Sequence, residues 1–194
     1  MVKDGGKYQI CVSGAAHGDS VEEGKTLAQS IGRAIAAAGH SLLTGATVGL
    51  PNYAAEAYKK AGGRMSLGIS PAASKIEHVF KYRLPTEAYD VILYSGLHYV
   101  GRDTLLISSS DAVISIGGRL GTLHEFTIAM ECEKPIGFLQ GAGGISQEIQ
   151  HILAIAHPLR QHTKIIFGES AEILIQELSA YLDQDNSKYK GLYH

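Results

Sequence analysis

The sequence predicts a doubly wound α/β fold, in which a mostly parallel sheet of about seven strands carries helices on both faces. Short apolar segments alternate along the chain with longer amphipathic segments, an order typical of parallel strands joined by crossover helices. The apolar segments are continuous rather than alternating, as expected of strands that are buried on both faces. We therefore expect a Rossmann-like sheet with its ligand beyond the carboxyl ends of the strands.

Each predicted strand is a short apolar or β-branched run next to turn residues, and each predicted helix has apolar residues at helical spacing. The strands cover residues 8–13, 41–44, 65–69, 91–94, 112–116, 135–139 and 163–167. The helices cover residues 20–38, 54–61, 99–109, 122–132, 146–156 and 171–182. Ser20 and Glu23 fit a capping box at the start of the first helix, Gly39 fits its end, and Ser170 is the expected cap of the last helix.

Residues 70–90 interrupt this order, because prolines occur there among charged and aromatic residues. We predict a longer excursion with a short helical piece. The length of 194 residues is typical of one domain. Residues 1–182 are accordingly predicted as a single Rossmann-like domain, and residues 183–194 as a C-terminal tail.

The composition excludes several classes of protein. Hydrophobic residues make up 45% of the chain and charged residues 19%, which argues against disorder, and a net charge of −2 makes a nucleic-acid partner unlikely. Cys11 and Cys132 lie far apart, and the spacing of His151, His157 and His162 does not favour a metal site. The chain has no apolar run long enough to span a membrane, so we expect a soluble, cytoplasmic protein.

The segment ISIGGRLGTLHE, residues 114–125, carries the strongest functional signal. A predicted strand ends there in a glycine-rich turn, and a helix follows. Glycines let the backbone approach a ligand, and the free N–H groups of a helix start favour an anion. We therefore predict a phosphate site at Gly117, Gly118, Arg119, Gly121 and Thr122. A structural explanation stays open, because Thr122 and Glu125 also fit a capping box and the glycines also suit a tight turn.

Other candidates follow the first, second and fourth strands. Gly14 ends the first strand, and Gly45 and Gly49 lie in the turn TGATVGLP, where backbone N–H groups could reach a ligand or the glycines could serve the turn alone. Arg102 is expected near the start of a helix. Because the helix dipole disfavours a cation there, we expect either a ligand anion or a carboxylate beside Arg102, with an ordinary surface arginine as the alternative.

From Arg102 to Glu125 the chain resembles the LOG-like superfamily, whose hallmark is a PGGxGTxxE motif preceded by an arginine on the previous helix. The motif stands here as IGGRLGTLHE, with Ile116 at the position of the usual proline. The segments TGATVGLP and GISP resemble further parts of the pattern, so the resemblance covers roughly residues 8–140. The stretch GRDTLLISSSDAVISIGGRLGTLHE is most similar to the DprA-related, molybdenum-cofactor-carrier-like branch.

The resemblance implies two catalytic candidates. In the phosphoribohydrolases of this superfamily, an arginine and a glutamate act at the N-glycosidic bond of a nucleoside 5′-monophosphate and release the base and ribose 5-phosphate. Arg102 and Glu125 match them. A carboxylate can stabilise the oxocarbenium-like transition state or assist water, and we expect the nearby helix N-terminus to keep Glu125 ionised. Asp103 stands where those enzymes have lysine, which replaces a cation with an anion beside the phosphate site.

This replacement favours binding over catalysis. The main prediction is a protein that binds a nucleotide (AMP-like) or another phosphorylated small molecule with little or no turnover and requires no cofactor. A phosphoribohydrolase and a carrier of the molybdenum cofactor, a pterin phosphate, are the alternatives. Single-stranded DNA binding is disfavoured by the lack of a basic stripe. The resemblance also implies a homodimer or a higher homo-oligomer.

Overall fold

Seven parallel strands form one sheet at the centre of the described structure. The computed structural model describes residues 8–156 and 163–189. In spatial order the sheet runs β4-β3-β2-β1-β5-β6-β7, and every neighbouring pair is parallel. The strands are β1 (Gln9–Gly14), β2 (Ser41–Thr44), β3 (Ser66–Ser70), β4 (Val91–Tyr94), β5 (Ala112–Ile116), β6 (Ile136–Leu139) and β7 (Ile165–Gly168). The predicted Rossmann-like sheet is confirmed, and it is parallel throughout.

Helices cover both faces of the sheet, as predicted. Those of the described residues are α1 (Asp19–Ala37), α2 (Leu50–Lys60), α3 (His98–Ser108), α4 (Leu120–Glu131), α5 (Ile149–Ala156) and α6 (Ala171–Asn186). One buried cluster joins α1, α2 and α6 to the sheet, and a second joins α3, α4 and α5 to the opposite face. None of these helices is long and apolar enough to cross a membrane.

The central strands are apolar on both sides because successive side chains of a strand point to opposite faces. Ile10 and Val12 of β1 belong to the first cluster, and Cys11 between them belongs to the second. In β5, Ile114 belongs to the first cluster and Val113 to the second. This burial explains why these segments read as continuous apolar runs.

The strand order creates a crevice between β1 and β5. From β1 the chain moves outward through β2 and β3 to β4, then returns to β5 on the other side of β1. The helix after β1 and the helix after β5 therefore cover opposite faces, which leaves an opening beyond the strand ends. Gly14 is paired with Ile116 in the sheet register, so the loops that follow both strands start side by side.

Two predictions about helix starts are wrong. Helix α1 begins at Asp19 after Gly18, with no side-chain cap, so Ser20 is not a capping residue. Helix α4 begins at Leu120, so Thr122 lies within its first turn rather than at a cap. Both helices begin earlier than predicted because the chain turns at glycine instead of ending on a polar cap. The structural explanation for Thr122 therefore does not hold.

Two other helix ends agree with the prediction, and one helix is longer than predicted. Gly39 has φ of +75° just after α1, which is the left-handed conformation expected of a terminating glycine. The hydroxyl of Ser170 accepts a hydrogen bond from the backbone N–H of Ile173, at 3.4 Å, as predicted for the cap of α6. Helix α6 continues beyond Leu182 to Asn186, into the predicted tail. The division into a domain of residues 1–182 and a tail stays a prediction.

The excursion between β3 and β4 contains a π-helical turn, Glu77–Lys81, which is the short helical piece predicted there. His78 is fully buried. Its Nδ1 lies 2.8 Å from the hydroxyl of Ser70, and its Nε2 lies 3.0 Å from the carbonyl oxygen of Pro85. Since that carbonyl can only accept, Nε2 donates to it, and in the neutral imidazole Nδ1 then accepts from the serine hydroxyl. His78 thereby ties the excursion to the end of β3.

Candidate functional site

A cleft of about 370 Å³ opens beyond the carboxyl ends of β1, β2 and β5. The loops after these strands and the first turns of α3 and α4 form its walls. Seven of the predicted site residues line it: Gly14, Gly45, Arg102, Arg119, Gly121, Thr122 and Glu125. The location is the one expected of a parallel α/β sheet.

Arg102 forms the floor of the cleft. It belongs to α3 and is only 4% exposed. Its guanidinium lies against the backbone of Gly45, where a Cβ would come within 1.7 Å of Nη1. Gly45 therefore leaves room for the arginine. Of the two explanations for Arg102, the surface arginine is wrong.

Two carboxylates lie beside this guanidinium. Oδ1 of Asp103 is 3.4 Å from Nε of Arg102, and Oε1 of Glu125 is 3.7 Å from Nη1. These are ion pairs rather than hydrogen bonds, because Nε and Nη1 are buried donors without a hydrogen-bond partner in the described residues. An unsatisfied buried donor is costly, so each one in a native protein calls for an explanation such as an absent acceptor.

Burial raises the pKa of Glu125 to about 7. The nearby charge of Asp103 raises it further, whereas Arg102 and a hydrogen bond from the hydroxyl of Ser13 to Oε2 oppose the shift. The expectation that the helix N-terminus keeps Glu125 ionised is therefore wrong. Glu125 is the sixth residue of α4, and the effect of a helix terminus fades beyond the first turn.

Asp103 faces the site and not the solvent. It is 5% exposed, and its Oδ2 lies 2.8 Å from Nδ1 of His124. The side chain of His124 is 38% exposed. Asp103 thus connects the buried floor of the cleft with an imidazole at the surface.

The start of α4 forms the open wall of the cleft. Arg119 precedes the helix with extended backbone, and its guanidinium makes no hydrogen bond or ion pair with another described residue. A Cβ built on Gly121 would meet no neighbouring side chain or loop within 4 Å. The first N–H groups of a helix lack partners within it, and Thr122 adds a hydroxyl beside them. Together these groups can accept an anion.

Three predicted glycines do not line this cleft. Gly49, with φ of +79°, lies against the backbone of Ala15 and Ala16. Gly117, with φ of +57°, faces Ala142, and Gly118, with φ of +98°, faces Thr122. All three allow turns that other residues rarely adopt. Their contact with a ligand stays a prediction, although Gly118 borders a neighbouring cavity of about 620 Å³.

Sequence reasoning missed three residues of the site. Ser13 bonds Glu125, His124 bonds Asp103, and Tyr99 lines the mouth of the cleft. The position of Ser13 at the end of β1 was the available signal for the first. The contact between α3 and α4 that unites Asp103 and His124 has no local signature. Tyr99 belongs to α3, and no residue of the excursion 70–90 lines the cleft.

The described residues contain no group of three or more histidine, cysteine or acidic side chains that could hold a metal ion. His151 lies on α5. His157 and His162, which the sequence analysis considered with it, lie outside the described residues.

Comparison with known proteins places this architecture in a family. The model of the SLOG cluster4 family matches residues 7–175. The chain belongs to the SLOG cluster4 family. The resemblance to the LOG-like and DprA-related superfamily is thereby confirmed. This SLOG cluster4 protein is also 32% identical, over 132 residues, to an uncharacterised protein of Archaeoglobus fulgidus, a match that covers 68% of this chain and 80% of the other.

Solved structures agree with this assignment. The molybdenum cofactor binding protein of Rippkaea orientalis is 28% identical, with a TM-score of 0.70 over 91% of this chain and 98% of the other. A Moco carrier protein of Chlamydomonas reinhardtii is 25% identical, with a TM-score of 0.69 over 90% and 99%. DNA processing protein A of Helicobacter pylori, at 18% identity and a TM-score of 0.57 over 92% and 81%, shows the shared fold alone.

Proposed function

We propose that this SLOG cluster4 protein binds a phosphorylated small molecule with a planar ring and releases it unchanged. One observation carries the proposal. The open helix start at Gly121 faces the same cleft as the buried guanidinium of Arg102, whose Nε and Nη1 have no hydrogen-bond partner in the described residues. The first offers anion-binding N–H groups, and the second offers donors that the described residues do not use.

The phosphate is assigned to the start of α4. Glycine in the first turn of a helix weakens the helix, and at Gly121 no protein neighbour requires the small side chain. A ligand that approaches the backbone closely would explain it. Arg119 and Thr122 flank this position and supply a hydroxyl and a cation that no described residue pairs.

The ring is assigned to the mouth of the cleft near Tyr99. Its side chain is 46% exposed, so one face can receive a planar group. Tyr82 contacts the ring of Tyr99 edge-on at 5.7 Å between centroids. The hydroxyl of Tyr82 is 2.7 Å from Nδ1 of His98, which fixes the orientation of Tyr82.

Two ligand classes combine a phosphate with a planar ring in this way. Nucleoside 5′-monophosphates follow from the resemblance to the phosphoribohydrolases. A pterin phosphate follows from the names of the Rippkaea and Chlamydomonas proteins, and the molybdenum cofactor would then be cargo rather than a resident cofactor. The anion site and the aromatic wall fit both classes, so the ligand panel below includes both.

A phosphoribohydrolase is the second candidate, favoured by the contact between Arg102 and Glu125 in the cleft. Two features argue against efficient turnover. Glu125 is not fully ionised at neutral pH, and Ser13 already occupies its Oε2. Asp103 also adds a second carboxylate beside the arginine, which disfavours an anionic substrate at the floor.

The test is a binding and turnover panel on the whole protein. Nucleoside 5′-monophosphates and pterin phosphates are titrated by calorimetry, and free base is sought by chromatography. We expect saturable binding of one class without base release. Arg119→Ala should weaken binding roughly tenfold, because a charge-assisted contact is lost. Arg33→Ala on the exposed side of α1 is the matched control.

Two outcomes would contradict the proposal. Base release by the wild type that disappears in Glu125→Gln would establish the hydrolase instead. If the wild type and Arg119→Ala bind the ligand with equal affinity, the assignment of the anion to the start of α4 is wrong.

We also propose that the protein forms a homo-oligomer. Exposed apolar side chains occur on the edge strand β4 (Val91 and Leu93), just before α3 (Leu97) and on α3 (Val100), and we take them to form one patch. A patch of this kind on a protein surface typically marks an interface. Light scattering after gel filtration should show a multiple of the chain mass for the wild type and a smaller species for Val100→Asp. A monomeric wild type would refute this proposal.

A further inference from the structure

A continuous chain of side chains links the floor of the cleft to the solvent. Ser13 donates its hydroxyl to Glu125, and Glu125 lies next to Asp103 on the facing helix. Asp103 bonds Nδ1 of His124 at 2.8 Å, and the imidazole reaches the surface. The groups along this chain are a hydroxyl, two carboxyls and an imidazole, all of which can exchange protons, and the two carboxyls meet at the guanidinium of Arg102.

The charges around Glu125 come from three elements. From α3, Arg102 and Asp103 face it, and from β1, Ser13 and the buried thiol of Cys11 face it. His124 precedes it on α4. With Glu125 ionised, Arg102 faces two carboxylates and the floor carries one net negative charge. When Glu125 and Asp103 share one proton, the floor is neutral. Only in that state is its charge balanced without a positive charge on His124.

We propose that Asp103 and His124 connect Glu125 to the solvent as a proton relay, that the charges of these two residues set the protonation equilibrium of Glu125, and that this equilibrium decides whether the cleft accepts an anion. His124 and Asp103 are positioning residues, because they act through Glu125. A proton enters at the imidazole, passes along Asp103, and neutralises the floor when an anion arrives. The anion step rests on the proposed function, whereas the relay does not.

The relay is tested in the ligand-free protein by a carbon-13 NMR titration of the Glu125 carboxyl. We expect a midpoint near neutral pH in the wild type. His124→Gln keeps a hydrogen-bond donor for Asp103 but cannot carry a positive charge. The Glu125 midpoint should then rise by about half a pH unit, because glutamine cannot take up the proton that an imidazole can, and a positive charge beside Asp103 favours the ionised form of Glu125.

Asp103→Asn should lower the Glu125 midpoint by about one pH unit, since it removes the adjacent negative charge. His151→Gln on α5, which is exposed and remote from the cleft, is the control and should leave the midpoint unchanged. An identical Glu125 midpoint in the wild type and His124→Gln would overturn the relay. A purely structural role of His124 also predicts an unchanged Glu125 midpoint, because glutamine preserves the hydrogen bond to Asp103.

The anion step is tested with sulfate, whose charge is constant between pH 6 and pH 8. Sulfate binding is followed through the backbone amide signal of Gly121. We expect roughly tenfold tighter binding at pH 6 than at pH 8 in the wild type, and no such difference in Glu125→Gln. Equal affinity at both pH values would refute the coupling. No binding at either pH would refute the anion site of the proposed function, while the titration would still decide the relay.

Discussion

Gly45 lies so close to Arg102 that a Cβ on the glycine would come within 1.7 Å of Nη1 of the arginine. The glycine turn after β2 thus makes room for a side chain from α3. This relationship connects two segments that are almost sixty residues apart in the sequence. It also explains how a buried arginine can sit at the end of β2, where any larger residue would displace it.

Gly45→Ala should therefore expel the guanidinium from the floor of the cleft. Asp103 and Glu125 would lose their positive partner, and loss of one member of a buried charge group typically costs about 3–5 kcal/mol, less here where Glu125 can take up a proton. We expect lower stability in urea unfolding at pH 8 and a smaller loss at pH 5. Gly168→Ala at the end of β7, where a Cβ would meet its nearest atoms at an ordinary 3.6 Å, is the comparison. Equal losses at both pH values would contradict this account.

Gly121→Ala should separate stability from binding. The substitution meets no neighbour and replaces a weak helix former, so stability should stay equal or rise by about 0.5–1 kcal/mol. Binding of the ligand found in the panel should weaken, because the methyl group occupies the path of the phosphate. Thermal unfolding and calorimetry measure the two effects. Thr127→Ala, an exposed position on the same helix, should leave binding unchanged, and unaltered binding in Gly121→Ala would assign the glycine to the turn alone.

The stability of the protein should depend on pH through Glu125. Burial raises the pKa of Glu125 from its ordinary value of 4.5 to about 7. Between these values the folded state holds a proton that the unfolded state has released, so this residue makes stability fall as pH rises and then level off above pH 7. The full effect is about 3 kcal/mol. Glu125→Gln should remove this decline, and parallel urea-unfolding profiles of variant and wild type between pH 4.5 and 7 would disprove it.

The two thiols should differ sharply in reactivity. Cys11 is fully buried in β1, and burial, with a contribution from the charge of Glu125, raises its pKa well above the usual value. Cys132 is exposed after α4. A chromogenic disulfide reagent should modify one thiol in the folded protein and both in denaturant. Rapid reaction of Cys11 in the folded wild type, checked with Cys132→Ser, would show that β1 opens readily.

The sequence predicted the sheet well because each strand is buried on both faces and is bounded by turn residues. Segments such as residues 112–116 therefore appear as apolar runs whose ends match the structure. Helix starts were harder to predict, since the chain turns at Gly18 and at Gly118–Arg119 instead of using Ser20 or Thr122 as caps. A polar residue before a helix indicates a cap only when its side chain finds the backbone N–H groups.

The chemistry of the site was predicted less completely than its position. Arg102 and Glu125 were identified by their motif, but the ionisation of Glu125 depends on burial and on Asp103, which come from packing between α3 and α4. Neither the depth of a side chain nor a contact such as that of Asp103 with His124 can be derived from spacing along one helix. The cleft was predictable because strand ends meet there, whereas its charge was not.

The proposed ligand would give the seam between β1 and β5 a mechanical role. The chain reaches this seam twice, once before the excursion and once after it, so the walls of the cleft come from segments that are distant in sequence. A ligand held by the start of α4 and by the floor near Gly45 spans the seam and links the two parts of the sheet. Ligand binding should then raise the force needed to pull β1 away from β5, without any change in the shape of the protein.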